Sequence, residues 1–146
     1  MHREFITFEV SGQVFGLDIM AIREIRAWTP ATRLPNVPHY VAGVVNLRGT
    51  VLPVTDLAAR LGWDTTEATP RHAIIVTQSG DQTRGLIVDS VSDIVTVSGD
   101  EIQPPPATSD DSVVKFIEGI AAIDDRMVMV LKLESLNAAD AMAEAA

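Results

Sequence analysis

The feature that most restricts this chain is its punctuation. Apolar, β-branched runs are short, and glycine, proline or charged turn residues interrupt them roughly every eight to twelve residues. Phe5-Ile6-Thr7-Phe8-Glu9-Val10 stops at Ser11-Gly12, and Val14-Phe15-Gly16-Leu17-Asp18-Ile19 follows, which predicts a β-hairpin. Met20 to Ile25 fits neither period cleanly, so a helical turn and a third strand both stay open. Pro30, Pro35 and Pro38 forbid a long helix and make a loop. Val44-Val45-Asn46-Leu47, Arg48-Gly49 and Thr50-Val51-Leu52-Pro53-Val54 read as strand, tight turn and strand, with Pro53 placing the second strand at an edge. Asp56 to Leu61 predicts a short amphipathic helix ended by Gly62, before a polar loop from Asp64 to Arg71.

A second β-rich half opens at Ala73-Ile74-Ile75-Val76, an uninterrupted apolar run suited to a strand buried on both faces. Ser79-Gly80-Asp81 turns it into Leu86-Ile87-Val88, and Ile94-Val95-Thr96-Val97 adds a strand. Gln103-Pro104-Pro105-Pro106 through Ser112 is a proline-rich, acidic connector. Phe116 to Ile123 and Met127 to Leu133 form a last hairpin around Asp124-Asp125-Arg126. From Glu134 the chain is Ala-rich with good helix propensity, and residues 137–146 are expected to be a helical or frayed tail. Short strands at this spacing point to barrels or a sandwich, and the strand–helix rhythm of a parallel sheet is missing. The two halves carry similar β content but no convincing repeat.

Composition narrows the function. A length of 146 residues suits one domain, or two small modules sharing a core. Hydrophobic residues make up 47% beside 21% charged, a surplus that must enter a generous core, exposed contact patches, or both. With no cysteine, disulfides, zinc–thiolate sites and cysteine nucleophiles are excluded, and a reducing compartment fits. A net charge of −9 argues against nucleic acid and against anionic membrane surfaces. The cations are nine Arg and two Lys, a skew that interface use and genomic codon bias explain equally well. Nothing at the N-terminus has a signal-peptide pattern, and no apolar run approaches the roughly 20 residues of a membrane span. The expectation is a cytoplasmic protein that reaches membranes only through partners.

A search for chemistry returns little. His2, His39 and His72 lack neighbours at metal-building spacing, and Asp110-Asp111 and Asp124-Asp125 are adjacent pairs in turns, which seldom converge on one substrate atom. Phosphate loops, dinucleotide fingerprints, nucleophile elbows and metal-binding helices are missing. No catalytic residue, metal or cofactor is therefore expected; a small acidic β-barrel hydrolase would need a constellation assembled from distant segments. The informative stretch runs from Val44 to Leu57, where an Arg at the tip of an apolar hairpin offers five donors on a rigid base. Such an Arg suits a carboxylate or backbone carbonyls, or is simply solvated.

Asn46-Leu47-Arg48-Gly49 followed by Pro53-Val54-Thr55-Asp56-Leu57 resembles the hallmark of the CheW-like family of bacterial chemotaxis coupling proteins. Phe15 to Ile19 with Ile22 to Arg26, Gly43-Val44, Gly85 to Asp89 with Val91-Ser92-Asp93, and Asp125-Arg126-Met127 agree with it in order. The likeness spans residues 4–136. It implies a mostly β fold of two small five-stranded SH3-like barrels packed around a shared core with short helices. It also implies a non-enzymatic adaptor that couples transmembrane chemoreceptors to the histidine kinase CheA, through the kinase's regulatory domain and the receptors' cytoplasmic tips. The equivalent coupling protein of a chemosensory-like pathway controlling pili or genes is the alternative within this class.

Carried over by position, the resemblance implies that Ile22, Glu24, Arg48, Val91 and Ile94 meet the receptor, and Leu17 and Met20 the kinase. For the apolar members of that set, plain barrel core is the competing reading. Asn46, Gly49 and Gly85 are expected to serve turns. Ser90, where the family often has Gly, leaves open a different turn after Asp89.

Overall fold

Ile74, Ile75 and Val76 show how the chain spends its strand period. Ile74 and Val76 enter one cluster of buried residues and Ile75 another, so this strand is covered on both sides, as its unbroken apolar run predicts. The computed structural model describes residues 2–64, 67–105 and 114–136. Their strands are β1 (His2–Val10), β2 (Gln13–Asp18), β3 (Ile22–Ala27), β4 (Val41–Leu47), β5 (Thr50–Asp56), β6 (Ala73–Ser79), β7 (Gln82–Val88), β8 (Ser90–Ser98), β9 (Ile117–Ile123) and β10 (Arg126–Leu131). They form two five-stranded sheets, ordered β8-β1-β2-β10-β9 and β3-β6-β7-β5-β4. The connector from Pro106 to Ser112 and the tail from Asn137 lie outside the described residues.

The sheets do not follow the two sequence halves. The second contains every strand from β3 to β7, while the first joins β1 and β2 to β8, β9 and β10. Both nevertheless run antiparallel, antiparallel, parallel, antiparallel across their ladders. Replacing β3, β4, β5, β6, β7 by β8, β9, β10, β1, β2 turns one strand order into the other. The relation is circularly permuted, which is why no repeat is legible along the chain.

Each sheet curls until the chain leaving one edge strand meets the opposite edge. After β3, Thr32 bridges Val44 on β4; after β8, Gln103 bridges Ile120 on β9. Both closures pass over a glycine. A Cβ at Gly43 would lie 2.2 Å from the Thr32 carbonyl oxygen, and one at Gly119 would lie 2.7 Å from that of Gln103.

Three apolar clusters fill the molecule. Val45, Leu52, Val54, Ile74 and Ile87 fill the β3–β7 barrel, and Phe5, Val97, Ala121 and Val130 fill the other. Between them lies the largest, with Ile6, Phe8, Phe15, Leu17, Ile75, Leu86, Phe116 and Leu131 drawn from both barrels. The helix α1 (Leu57–Arg60) starts where the Asp56 side chain accepts from the Ala59 N–H. All four of its residues are buried, so the short helix that its sequence predicts is an internal wedge with no solvent-facing side. Its Arg60 is only 8% exposed. The guanidinium lies between the Tyr40 and Phe116 rings, at 4.5 and 4.4 Å, and donates to the Leu136 carbonyl at 3.1 Å.

Two further expectations are corrected. Pro53 lies on β5, an inner strand between β7 and β4. It is tolerated because the parallel ladder to β7 begins one residue later, at Val54. Gly85 sits inside β7 and not in a turn, where a Cβ would come within 2.9 Å of Ile74 Cγ2 and 3.3 Å of Val54 Cγ2. It is small so that the barrel interior closes. Ser90 opens β8 without a positive φ, so glycine is not required there.

Candidate functional site

The hairpin between β4 and β5 turns through Arg48 and Gly49, with φ of 51° and 87°. Two successive positive φ values match the right-handed twist of the strands, and Gly49 adopts them without strain. The Asn46 side-chain oxygen accepts from the Gly49 N–H at 2.9 Å across the turn. Arg48 stands at the apex, its side chain 69% exposed.

Glu24 reaches that apex from β3. One of its carboxylate oxygens accepts from Arg48 and the other from Arg26, the latter at 3.2 Å. Those bonds, Arg48 first, hold the Glu24 carboxyl below the ordinary glutamate pKa. The juxtaposition depends on a bulge. Ile22 faces Thr77 and Glu24 faces Val76 on β6, two residues of β3 against one of its partner. The extra residue puts Ile22 and Glu24 on opposite sides of β3. Ile22 packs against the central cluster, while Glu24 joins a cleft of about 210 Å³ with Arg23, Arg48, Thr50, Leu52 and Thr83.

A second bulge works the other way on β8. Phe8 faces Val91 and Ile6 faces Ile94, so three steps on β8 match two on β1. Val91 and Ile94, whose spacing in a regular strand points them to opposite sides, thereby share the face of Phe8 and Ile6. The Thr7 hydroxyl, buried in the first barrel, fixes the bulge by donating to the Asp93 carboxylate at 2.6 Å. Val91 is half-buried against the central cluster and Ile94 is 55% exposed. The structure therefore brings Ile22 and Val91 to the margin of one core and pairs Glu24 with Arg48. It sets the two groups on the two sides of β3.

The residues expected to meet the kinase divide. Leu17 is 1% exposed in the central core, the core reading of that position, although it also lines the depression that Met20 rims. Met20 is 88% exposed on a 3-10 turn at Ile19–Ala21, which the Asp18 carboxylate caps through the Met20 N–H at 2.9 Å. Met20 rims a depression of about 330 Å³ with Arg3, Glu118 and Leu133. There Arg3 pairs with Asp18 at 3.2 Å and with Glu118, whose bond raises the guanidinium pKa further. The cleft at Arg48 and the depression at Met20 share no lining residue.

Sequence reasoning missed Arg23, Arg26 and the Arg3–Asp18–Glu118 network. Glu24 and Arg26 lie two apart, which on a strand means one face, but the signal is usable only once β3 is known to be a strand. Among the described residues no group of three His, Asp or Glu is placed to hold a metal ion. None of their helices is long and apolar enough to cross a membrane.

The profile of the CheW-like domain matches residues 4–140 of the chain. The probable chemotaxis protein CheW of Rhizobium etli is 52% identical over 134 residues, covering 92% of this chain and 86% of that protein. The chemotaxis protein CheW of Rhizobium meliloti gives the same identity and coverage. Among solved structures, the scaffolding protein TtCheW from Thermoanaerobacter tengcongensis superposes with a TM-score of 0.82 at 34% identity, covering 93% of this chain and 88% of that one. With its two permuted barrels, its Asn46-Leu47-Arg48-Gly49 hairpin and these relatives, the chain belongs to the CheW-like domain family.

Proposed function

We propose that this protein is a chemotaxis adaptor that holds the cytoplasmic tips of transmembrane chemoreceptors against the regulatory domain of the histidine kinase CheA. It works by placement and not by chemistry. The observation that carries the reading is the pair of separate depressions on one two-barrel body, one at Arg48 and Glu24, the other at Met20. In this reading an amphipathic receptor helix lies along the margin of the central core on Ile22, Val91 and Ile94. Arg48, held by Glu24, then fixes its register over the edge of β3. The kinase meets Met20. Each contact is expected to bury on the order of 800 Å² per partner. Recruitment to membrane arrays would follow from the receptors, with the protein itself in the cytoplasm. Identity of 52% to proteins named for chemotaxis favours that pathway over one controlling pili or genes.

The test is co-purification with a receptor cytoplasmic fragment and a CheA regulatory fragment, singly and together. The unmutated protein is expected to hold both at once. Arg48→Glu should release the receptor fragment and keep the kinase, and Met20→Asp should do the reverse. Binding of neither fragment, or competition between them for one surface, would reject the reading.

A further inference from the structure

We propose that the cleft beside the β4–β5 turn is a socket for a single carboxylate of the docked partner, with Arg23 as its second guanidinium. The proposal deepens the receptor-docking reading and relies on it only for which partner supplies the carboxylate.

Charge is the first argument. The chain carries a net charge of −9, yet here Arg26 and Arg48 both pair with one carboxylate, that of Glu24, and Arg23 lines the same cleft. Glu24 has one oxygen taken by Arg26 and the other by Arg48, so it is a fixed strut with little left to give Arg23. A local excess of positive charge on an acidic molecule is complementary to an acidic group.

Donor supply is the second. Among the described residues the Arg48 side-chain hydrogen bond runs from Nη2, which leaves its Nε–H and its Nη1 donors, on separate edges of the guanidinium, for a ligand. Arg23 makes a long contact of 3.4 Å from Nη1 to the Gln78 side-chain oxygen. That oxygen is itself held by the Thr83 hydroxyl at 2.6 Å, while the Gln78 amide nitrogen donates to the Gly80 carbonyl at 2.7 Å. Arg23 is thus positioned by a neutral group without being neutralised. An incoming carboxylate would accept from two guanidinium groups, whose charged hydrogen bonds are stronger than neutral ones.

Size and floor are the third. A space of about 210 Å³ has room for an acidic side chain. Leu52 and Val76 form an apolar floor, which strengthens each charged contact above it. A phosphate group fits less well than a carboxylate, because its second negative charge would face Glu24.

Two measurements test the socket. In the first, the full chain is titrated by NMR with a blocked tripeptide, alanyl-glutamyl-alanine, with its glutaminyl counterpart and with inorganic phosphate. Saturable shifts of the Arg23 and Arg48 Nε–Hε signals are expected with the glutamyl peptide alone, weakened about tenfold in Arg23→Gln and less in Arg23→Lys. Absence of saturable shifts, shifts unchanged in Arg23→Gln, or tighter binding of phosphate would overturn the proposal. In the second, calorimetry with a receptor cytoplasmic fragment should lose at least about tenfold in affinity on Arg23→Glu while a CheA regulatory fragment binds unchanged. A receptor fragment indifferent to Arg23→Glu sinks the socket and leaves the docking reading standing. A peptide that binds where the receptor fragment does not sinks the docking reading and leaves the socket.

Discussion

Arg48 occupies a turn position that its residue type disfavours. Its φ of 51° is left-handed, which costs a residue other than Gly, Asn or Asp on the order of 1 kcal/mol. Asparagine or glycine followed by Gly49 would suit this turn better. An arginine kept there points to work done by the guanidinium, an inference from an observed outlier. Arg48→Asn relieves the turn but also removes the Glu24 contact, so the two effects are expected to offset to within about 0.5 kcal/mol in urea denaturation while the proposed receptor contact weakens. A loss well beyond about 1 kcal/mol would make the arginine structural. Glu24 supplies a second prediction at this scale. Its folded pKa is depressed, so the contribution of the Glu24–Arg48 contact is complete above the ordinary glutamate value and disappears as pH falls through the depressed one. Carbon-detected titration of Glu24 should give a midpoint below the ordinary value, and Arg48→Gln should move it back up. A midpoint unmoved by that substitution would dissociate the pair from the shift.

At the scale of elements, the two closures are the places where one added methyl is felt most. Gly43→Ala would push a Cβ onto the Thr32 backbone, and Gly119→Ala one onto Gln103, so each is expected to cost about 1–3 kcal/mol. Gly12, with a positive φ but nothing within 4 Å of its Cβ position, should cost no more than about 1 kcal/mol as alanine. Urea midpoints of the three variants decide the order, and equal losses would mean that turn strain, not closure, dominates. The same contrast explains what was readable in the sequence. The Arg48-Gly49 and Asp124-Asp125 turns announce themselves through local residue chemistry, and the strands through their period. Gly43, Gly85 and Gly119 answer to residues distant in the chain, so Gly85 looks like a turn and is packing. Pro53 misleads for a related reason: an inner strand tolerates it only because its second ladder starts one residue later. Of the proposed docking residues, Arg48 and Met20 are accessible as read. Leu17 is not, because an apolar residue in a strand carries no local mark of which core it enters. The bulges that aim Ile22, Glu24, Val91 and Ile94 insert residues whose local types are unremarkable, and only the pairing shows them.

For the whole molecule, the permuted barrels have a thermodynamic consequence. The first barrel is assembled from the chain's two flanks around the second, so its β1–β2 and β8–β10 pieces meet only when the intervening segment has brought them together. The largest apolar cluster belongs to both barrels, and Arg60 ties Tyr40 of one to Phe116 of the other and to the Leu136 carbonyl. Such a body should unfold as one unit, with neither barrel surviving the other. The chain carries its own probes, since Trp28 packs against the core of the β3–β7 barrel and Trp63 against the shared one, 5.9 Å from Phe15. Single-tryptophan variants, Trp28→Phe and Trp63→Phe, should give coincident denaturation curves by fluorescence and by circular dichroism once corrected for any shared shift in stability. Removing the tie by Arg60→Ala empties a buried space between two rings and leaves a carbonyl without this donor, a loss of about 2–4 kcal/mol. It should lower both tryptophan transitions together. Transitions that separate would show two independently folding barrels. A body of that kind would have no rigid frame through which a receptor seated at one depression biases a kinase seated at the other.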